Sequence, residues 1–174
     1  MISIQRFIKT MGATVFATVL ASSGLAAQQG VQGVSAQAGA PVVGTLRVDT
    51  ISEAPTPLFG LSFSVVNVPS DTGGGGGAGG KAVFSEFKVA RQADAASPLL
   101  FKAAATGVHL TKVQIDVFRA GTSIVENSYI LTDVVIASFG TDAVFERVAF
   151  SYAKIEFLSG GAGTCFNRVA NAGC

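Results

Sequence analysis

The sequence predicts a mainly β domain: a small antiparallel β-barrel of about six strands with one flanking α-helix. Three observations predict it. Six runs, 42–49, 58–68, 82–91, 109–119, 128–139 and 143–158, are apolar and largely alternating, as strands require. Short turns between several of them favour antiparallel neighbours. One segment alone, Asp94–Gly107, carries helix signals at both ends.

Residues 1–27 read as an export signal. Arg6 and Lys9 form a basic start, and Met11–Ala27 is an apolar run softened by small residues. Cleavage is expected near Ala26–Ala27. The run is at the short end for spanning a bilayer core of ~30 Å, so a retained anchor is the weaker reading. Residues 28–41, rich in Gln, Gly, Ala and Ser, form a flexible lead-in. The domain proper is then 42–158, and 159–174 is a C-terminal loop.

Within the domain, Ile51–Pro57 holds two prolines and is expected to be a loop or an irregular edge. In the second run Leu61, Phe63 and Val65 alternate with serines. Pro69–Gly80 follows, with five consecutive glycines at 73–77, and reads as a long loop. Gly75-x4-Gly80-Lys81 imitates a phosphate-binding loop. That motif needs a helix and a Ser or Thr after the lysine, but residue 82 is Ala and a strand pattern follows. In the third run Val83, Phe87 and Val89 share a face.

The helix is expected to use Ser97 as its N-cap and Pro98 as its first residue. Leu99, Leu100 and Phe101 supply an apolar face, and Gly107 stops the helix in the left-handed conformation. In the fourth strand Val113, Ile115 and Val117 alternate with Lys112, Gln114 and Asp116. Residues 120–123 form a hairpin turn. Asp133 interrupts the fifth strand and marks a bend or bulge. In the sixth, the apolar phase slips between Tyr152 and Ile155, which a bulge at Ala153–Lys154 would explain.

Composition narrows the function. Almost half of the chain is hydrophobic, 13% is charged, and the formal net charge is +1. No basic footprint for nucleic acid or an acidic membrane is present. Without Arg6 and Lys9 the chain carries 10 basic against 11 acidic residues. Thirteen Phe against two Tyr suit a core and subunit contacts rather than a base-stacking platform.

Chemistry is sparse. The single histidine, His109, has no nucleophile elbow to serve, and no Gly-x-Ser-x-Gly occurs. Asp94, Asp116, Asp133 and Glu146 lie on separate elements. A glycosidase pair among them stays open at this point, although ion pairs are far commoner. Asp94 also suits the positive end of the helix. No catalytic, cofactor-binding or metal-binding set emerges, and no cofactor is expected. The two cysteines, Cys165 and Cys174, are expected to form a disulfide in an oxidising compartment. A Cys-x-x-Cys redox pair is absent, and two thiols with one distant His are too few for structural zinc.

Several blocks appear in a telling order. Leu61-Ser62-Phe63-Ser64 precedes the glycine loop, which leads through Gly79-Gly80-Lys81-Ala82 to Phe84. Asp94-x-x-Ser97-Pro98-x-Leu100 opens the helix, and Ala105-Thr106-Gly107-x-His109 closes it. Leu131-x-Asp133-Val134 lies in the fifth strand, and Glu146-x-Val148-x-Phe150-x-Tyr152-x-Lys154-Ile155-Glu156 in the sixth. Together, over more than half of the chain, they resemble the haemolysin-coregulated protein (Hcp) family, which builds the tube of type VI secretion systems. The resemblance implies a barrel with a flanking helix, hexameric rings that stack into a tube, and a structural or carrier role without catalysis. The partners it implies are other copies of the chain, secretion-system components and effector cargo. Combined with the export signal, it points to a secreted or periplasmic protein with no membrane partner after signal removal. A monomeric extracytoplasmic binding module on the same barrel is the rival reading.

Overall fold

A computed structural model of the chain describes residues 39–68 and 80–174. The expected signal, most of the lead-in and the glycine run at 73–77 lie outside the described residues. The first strand, β1 (Gly44–Val48), alternates as its sequence requires, with Leu46 and Val48 inward. It turns into β2 (Ser52–Ser62), antiparallel to it.

The strand therefore runs straight through Pro55 and Pro57, where the sequence predicts a loop. The register supplies the reason. β2 pairs with its second neighbour only from Leu58 onward, so both prolines sit where one flank needs no ladder hydrogen bonds.

The second and third predicted strands are each cut in two. β3 (Val65–Val68) and β4 (Lys81–Phe84) form a separate two-stranded ribbon. β5 (Phe87–Arg91) returns beside β2. The cut falls at Phe63–Ser64 and Ser85–Glu86, where Ser85 Oγ accepts from Ser64 N at 2.9 Å in place of regular pairing. The residues facing the core change accordingly. Phe87 and Val89 are buried, but Val65 and Val83, predicted on those faces, are exposed on the ribbon.

The helix α1 (Ser97–Thr106) is the one helix among the described residues. Its start differs from the expectation: Ala96 is the N-cap, and Ser97 already belongs to the helix. Ser97 Oγ instead accepts from Asp94 N and donates to Glu146 Oε2, both at 2.9 Å. Asp94 Oδ1 accepts from Ala96 N at 2.7 Å, closing the turn before the helix. Gly107 ends it as expected, at φ 64°, its N–H bonded to Ala103 O. Of the three apolar residues in a row, Leu100 alone is buried, with Ala103 one turn on; Leu99 and Phe101 face outward.

β6 (Leu110–Phe118), β7 (Val125–Thr141) and β8 (Glu146–Ser159) complete the barrel. Its strands follow the order β8-β5-β2-β1-β6-β7, and β7 pairs with β8 to close the ring, every contact antiparallel. Six strands and one helix agree with the predicted fold class. The interior holds Leu46, Leu58, Val89, Val113, Ile115, Leu131, Val148 and Phe150, among others, capped by Leu100 from the helix. Gly44 lets β1 lie close to β6: a Cβ there would stand 2.2 Å from Asp116 O.

The slip in the sixth strand has another origin than a bulge at Ala153–Lys154. β7 and β8 hold one register from Asn127↔Ser159 to Ile136↔Phe150; the shift comes later, between Ile136 and Ser138. Opposite the slip lies Asp133, at φ 52°. A left-handed residue rotates the strand there, so both strands change phase together: Leu131 and Val134 are buried on one, Tyr152 and Ile155 on the other. The bend expected at Asp133 is thus present, and it accounts for both strands.

Beyond the barrel, β9 (Ala162–Asn167) pairs along the outer half of β8, and β10 (Ala172–Gly173) folds back on β9. Cys165 and Cys174 are joined across this last hairpin, with their Cα atoms 5.3 Å apart.

Candidate functional site

The barrel has two unlike ends. The β1–β2 turn, α1 and the β7–β8 turn gather at one; the β3–β4 ribbon, the β6–β7 turn and the C-terminal hairpin gather at the other. The candidate chemistry falls mostly at the helix end. There each carboxylate of interest is already engaged.

Arg91, 1% exposed, is the residue that sequence reasoning passed over. Its Nη2 makes an ion pair with Asp94 Oδ1 and its Nε lies 3.7 Å from Glu146 Oε2. Nε also donates to Gln92 O at 3.3 Å. Asp94 and Glu146 are therefore brought together, but around a guanidinium that holds the helix entrance onto β5 and β8. Two carboxylates neutralising one buried cation are a structural clamp; neither is placed to work as a glycosidase acid. No local signal in the sequence marks this clamp, because Arg91 and Glu146 meet only through the β5–β8 register.

His109 Nδ1 lies 2.6 Å from Asp133 Oδ1, both exposed. The two residues of a triad are thus adjacent, but neither the histidine nor the aspartate has a nucleophile among its described partners. A shallow cavity of about 290 Å³ nearby is lined by Thr50, Leu99, Lys102, Thr106 and His109. Asp116, on the outer face of β6, is buried and satisfied: Ser128 Oγ donates at 2.6 Å, Gln114 Nε2 at 3.0 Å, and Arg47 Nη1 stands at 3.3 Å. Among the described residues no cluster of three or more potential metal ligands occurs. No helix among them is long and apolar enough to cross a membrane.

The other end is built from rings. Phe63 stacks on Phe87 with centroids 5.2 Å apart, Phe87 meets Tyr129 at 5.1 Å, and Tyr129 stacks on Phe157 at 4.9 Å. Phe84 of the ribbon packs on Phe166 of β9 at 4.9 Å. Burial pushes the Tyr152 hydroxyl up to about 12, although the nearby Arg168 cation pulls the other way. The Arg168 guanidinium carbon stands 4.5 Å from the centre of the Tyr152 ring. A cleft of about 440 Å³ runs between β4, β8 and the C-terminal hairpin, past Lys81, Val83, Tyr152 and Arg168.

Apolar side chains remain uncovered at both ends: Leu99, Phe101 and Val108 around the helix, and Val65, Val66 and Val83 on the ribbon. Closure consumes most of the barrel's strand edges, so among the described residues unpaired edges survive mainly on the ribbon, β9–β10 and the proline half of β2.

Residues 30–158 match the family described as type VI secretion system effector, Hcp. Among solved structures, a type six secretion system protein aligns over 77% of this chain and 100% of its own, at 19% identity and a TM-score of 0.65. Hcp1 from Salmonella typhimurium aligns over 77% of this chain and 100% of its own, at 18% identity and a TM-score of 0.61. The secreted protein Hcp3 from Pseudomonas aeruginosa aligns over 73% and 99%, at 20% identity and a TM-score of 0.57. At such identities the structural likeness speaks for the fold. No curated protein matches the chain by sequence.

Proposed function

The chain belongs to the Hcp family of type VI secretion systems, and from that premise we propose that it is an exported structural and carrier subunit that assembles into rings. The family match, which covers the whole barrel, carries this reading. Ring assembly is known for the family, and six subunits is the number the resemblance implies. The geometry supports it. A barrel with unlike ends, each bearing uncovered apolar side chains, is suited to heterologous contacts that close around an axis. The engaged state of Asp94, Asp116, Asp133 and Glu146 favours a role without catalysis. The N-terminal segment, residues 1–27, supports export through its signal-like sequence, and the Cys165–Cys174 pair suits the oxidising space beyond the membrane.

The test is the mass of the purified mature protein in solution, followed by electron microscopy. Rings of a uniform subunit number are expected. A clean monomer at high concentration would remove the ring and leave the monomeric extracytoplasmic binding module. The N-terminal residue of the mature protein, recovered from outside the cytoplasm, checks the export step separately; an intact Met1 would refute it.

A further inference from the structure

The family match stops at residue 158, and the hairpin that follows is joined to the barrel along the outer half of β8. β8 pairs with β5 over Glu146–Phe150 and with β9 over Lys154–Ser159. Between them the edge of β8 at 151–153 has no strand beside it. One residue fills that gap. Arg168 donates its backbone N–H to Ala153 O at 2.8 Å and Nη1 to Tyr152 O at 2.7 Å, and Nη2 reaches Phe84 O at 3.5 Å. Phe84 is the last residue of β4. Arg168 therefore ties the barrel edge and the ribbon together, with Phe166 against Phe84 beside it.

The position of Arg168 depends on the hairpin around it. It lies between Cys165 and Cys174, in a turn where Asn167 Oδ1 accepts from Val169 N and Ala170 N, each at 3.0 Å. β10 contributes only the pairs Ala172↔Asn167 and Gly173↔Phe166. So short a strand cannot hold the turn by its ladder alone; the covalent link between the cysteines closes it.

We propose that the C-terminal hairpin is a thiol-sensitive brace for the β3–β4 ribbon. With the cysteines joined, Arg168 and Phe166 pin the ribbon against β8. A dithiol reductant opens it: the S–S bond breaks, each cysteine sulfur gains a proton, the pair takes two electrons, and the reductant leaves as its own disulfide. The turn then loosens, and what still holds the ribbon is its chain connections, the ring contact of Phe63 with Phe84 and the bond that the Tyr152 hydroxyl donates to Ser85 O at 3.3 Å. In an oxidising space the ribbon is fixed; in a reducing one it is not. This holds whether or not the chain forms rings.

Amide hydrogen exchange on the full chain tests the proposal, with a mass measurement first showing the oxidised protein two hydrogens lighter than the reduced. On reduction, the amides of Val65–Val68 and Lys81–Phe84 should exchange about tenfold faster, below the ~100-fold ceiling that closing so short a loop supplies. Barrel amides at Val89 and Ile115 should not change. Arg168→Ala with the disulfide intact should reproduce the ribbon effect, and Arg168→Lys should give most of it. Ribbon amides indifferent to both reduction and Arg168→Ala would overturn the proposal. So would an equal rise at Val89 and Ile115, which would make the disulfide a general staple.

Discussion

Leu100→Ala and Phe101→Ala differ by one position in the helix, yet they should differ severalfold in cost. Leu100 is fully buried, while Phe101 is 60% exposed and meets Phe139 edge-on, centroids 6.0 Å apart. Truncating Leu100 removes three carbons from the core, about 2.4 kcal/mol at ~0.8 kcal/mol per group. The helix and β7 are held by the surrounding sheet, so the cavity collapses only in part, which raises the expected loss to roughly 3–4 kcal/mol. Truncating Phe101 forfeits less than half of a full burial, about 1 kcal/mol. Urea denaturation followed by circular dichroism, with slopes compared to establish that only the midpoint moves, gives both numbers. A Phe101→Ala loss equal to that of Leu100→Ala would refute the assignment of the helix face. Measured across concentration, Phe101→Ala should also weaken self-association if the helix face is a subunit contact.

Three further outcomes follow from particular contacts. Gly44→Ala should cost about 1–3 kcal/mol in the same denaturation assay, because its Cβ would press on the Asp116 carbonyl and push β1 from β6. Glu146→Ala should cost about 3–5 kcal/mol, since it leaves the Arg91 guanidinium buried with only Asp94 to offset it; Arg91→Met with Glu146→Gln should recover part of that loss. At high pH, the raised Tyr152 value means that the folded chain keeps a proton the unfolded chain has released. The stability from Tyr152 is whole below pH 10.0 and is lost between there and about 12, so the denaturation midpoint should fall across that window. Spectrophotometric titration should find Tyr129, also raised by burial, ionising late as well. Either tyrosine titrating at its ordinary value in the folded protein would contradict the burial assigned to that residue.

The parts of the fold legible in the sequence are those that local chemistry decides. Gly107 requires a left-handed residue, and Val113 and Ile115 alternate with polar neighbours, so the helix stop and the buried face of β6 stand where the sequence places them. Leu99, Leu100 and Phe101 show the limit: three adjacent apolar residues span most of a helical turn, and only the barrel decides which one enters. Pro55 and Pro57 show another, since a proline reads as a break until the one-sided pairing of β2 is known. At the candidate sites the carboxylates were visible but their partners were not. Arg91 meets Glu146 across 55 residues and Arg168 meets Phe84 across 84, distances at which no sequence window carries a signal. The cysteines could be paired by counting, whereas the service their hairpin gives the ribbon depends on the gap in β8.

The closure of the barrel also sets an order of events. The β6–β7 and β7–β8 hairpins form between neighbours in the chain, but β1 must find β6, and β5 must find β8, across some sixty to seventy residues. Synthesis delivers the partners in the unfavourable order: β1, β2 and β5 leave the ribosome first and wait with open edges for strands not yet made. Nothing can seal the seam until residue 150 is free to reach Phe87. The chain is therefore expected to fold in one late, cooperative and comparatively slow step, and the waiting interval is when it is most exposed to wrong pairing.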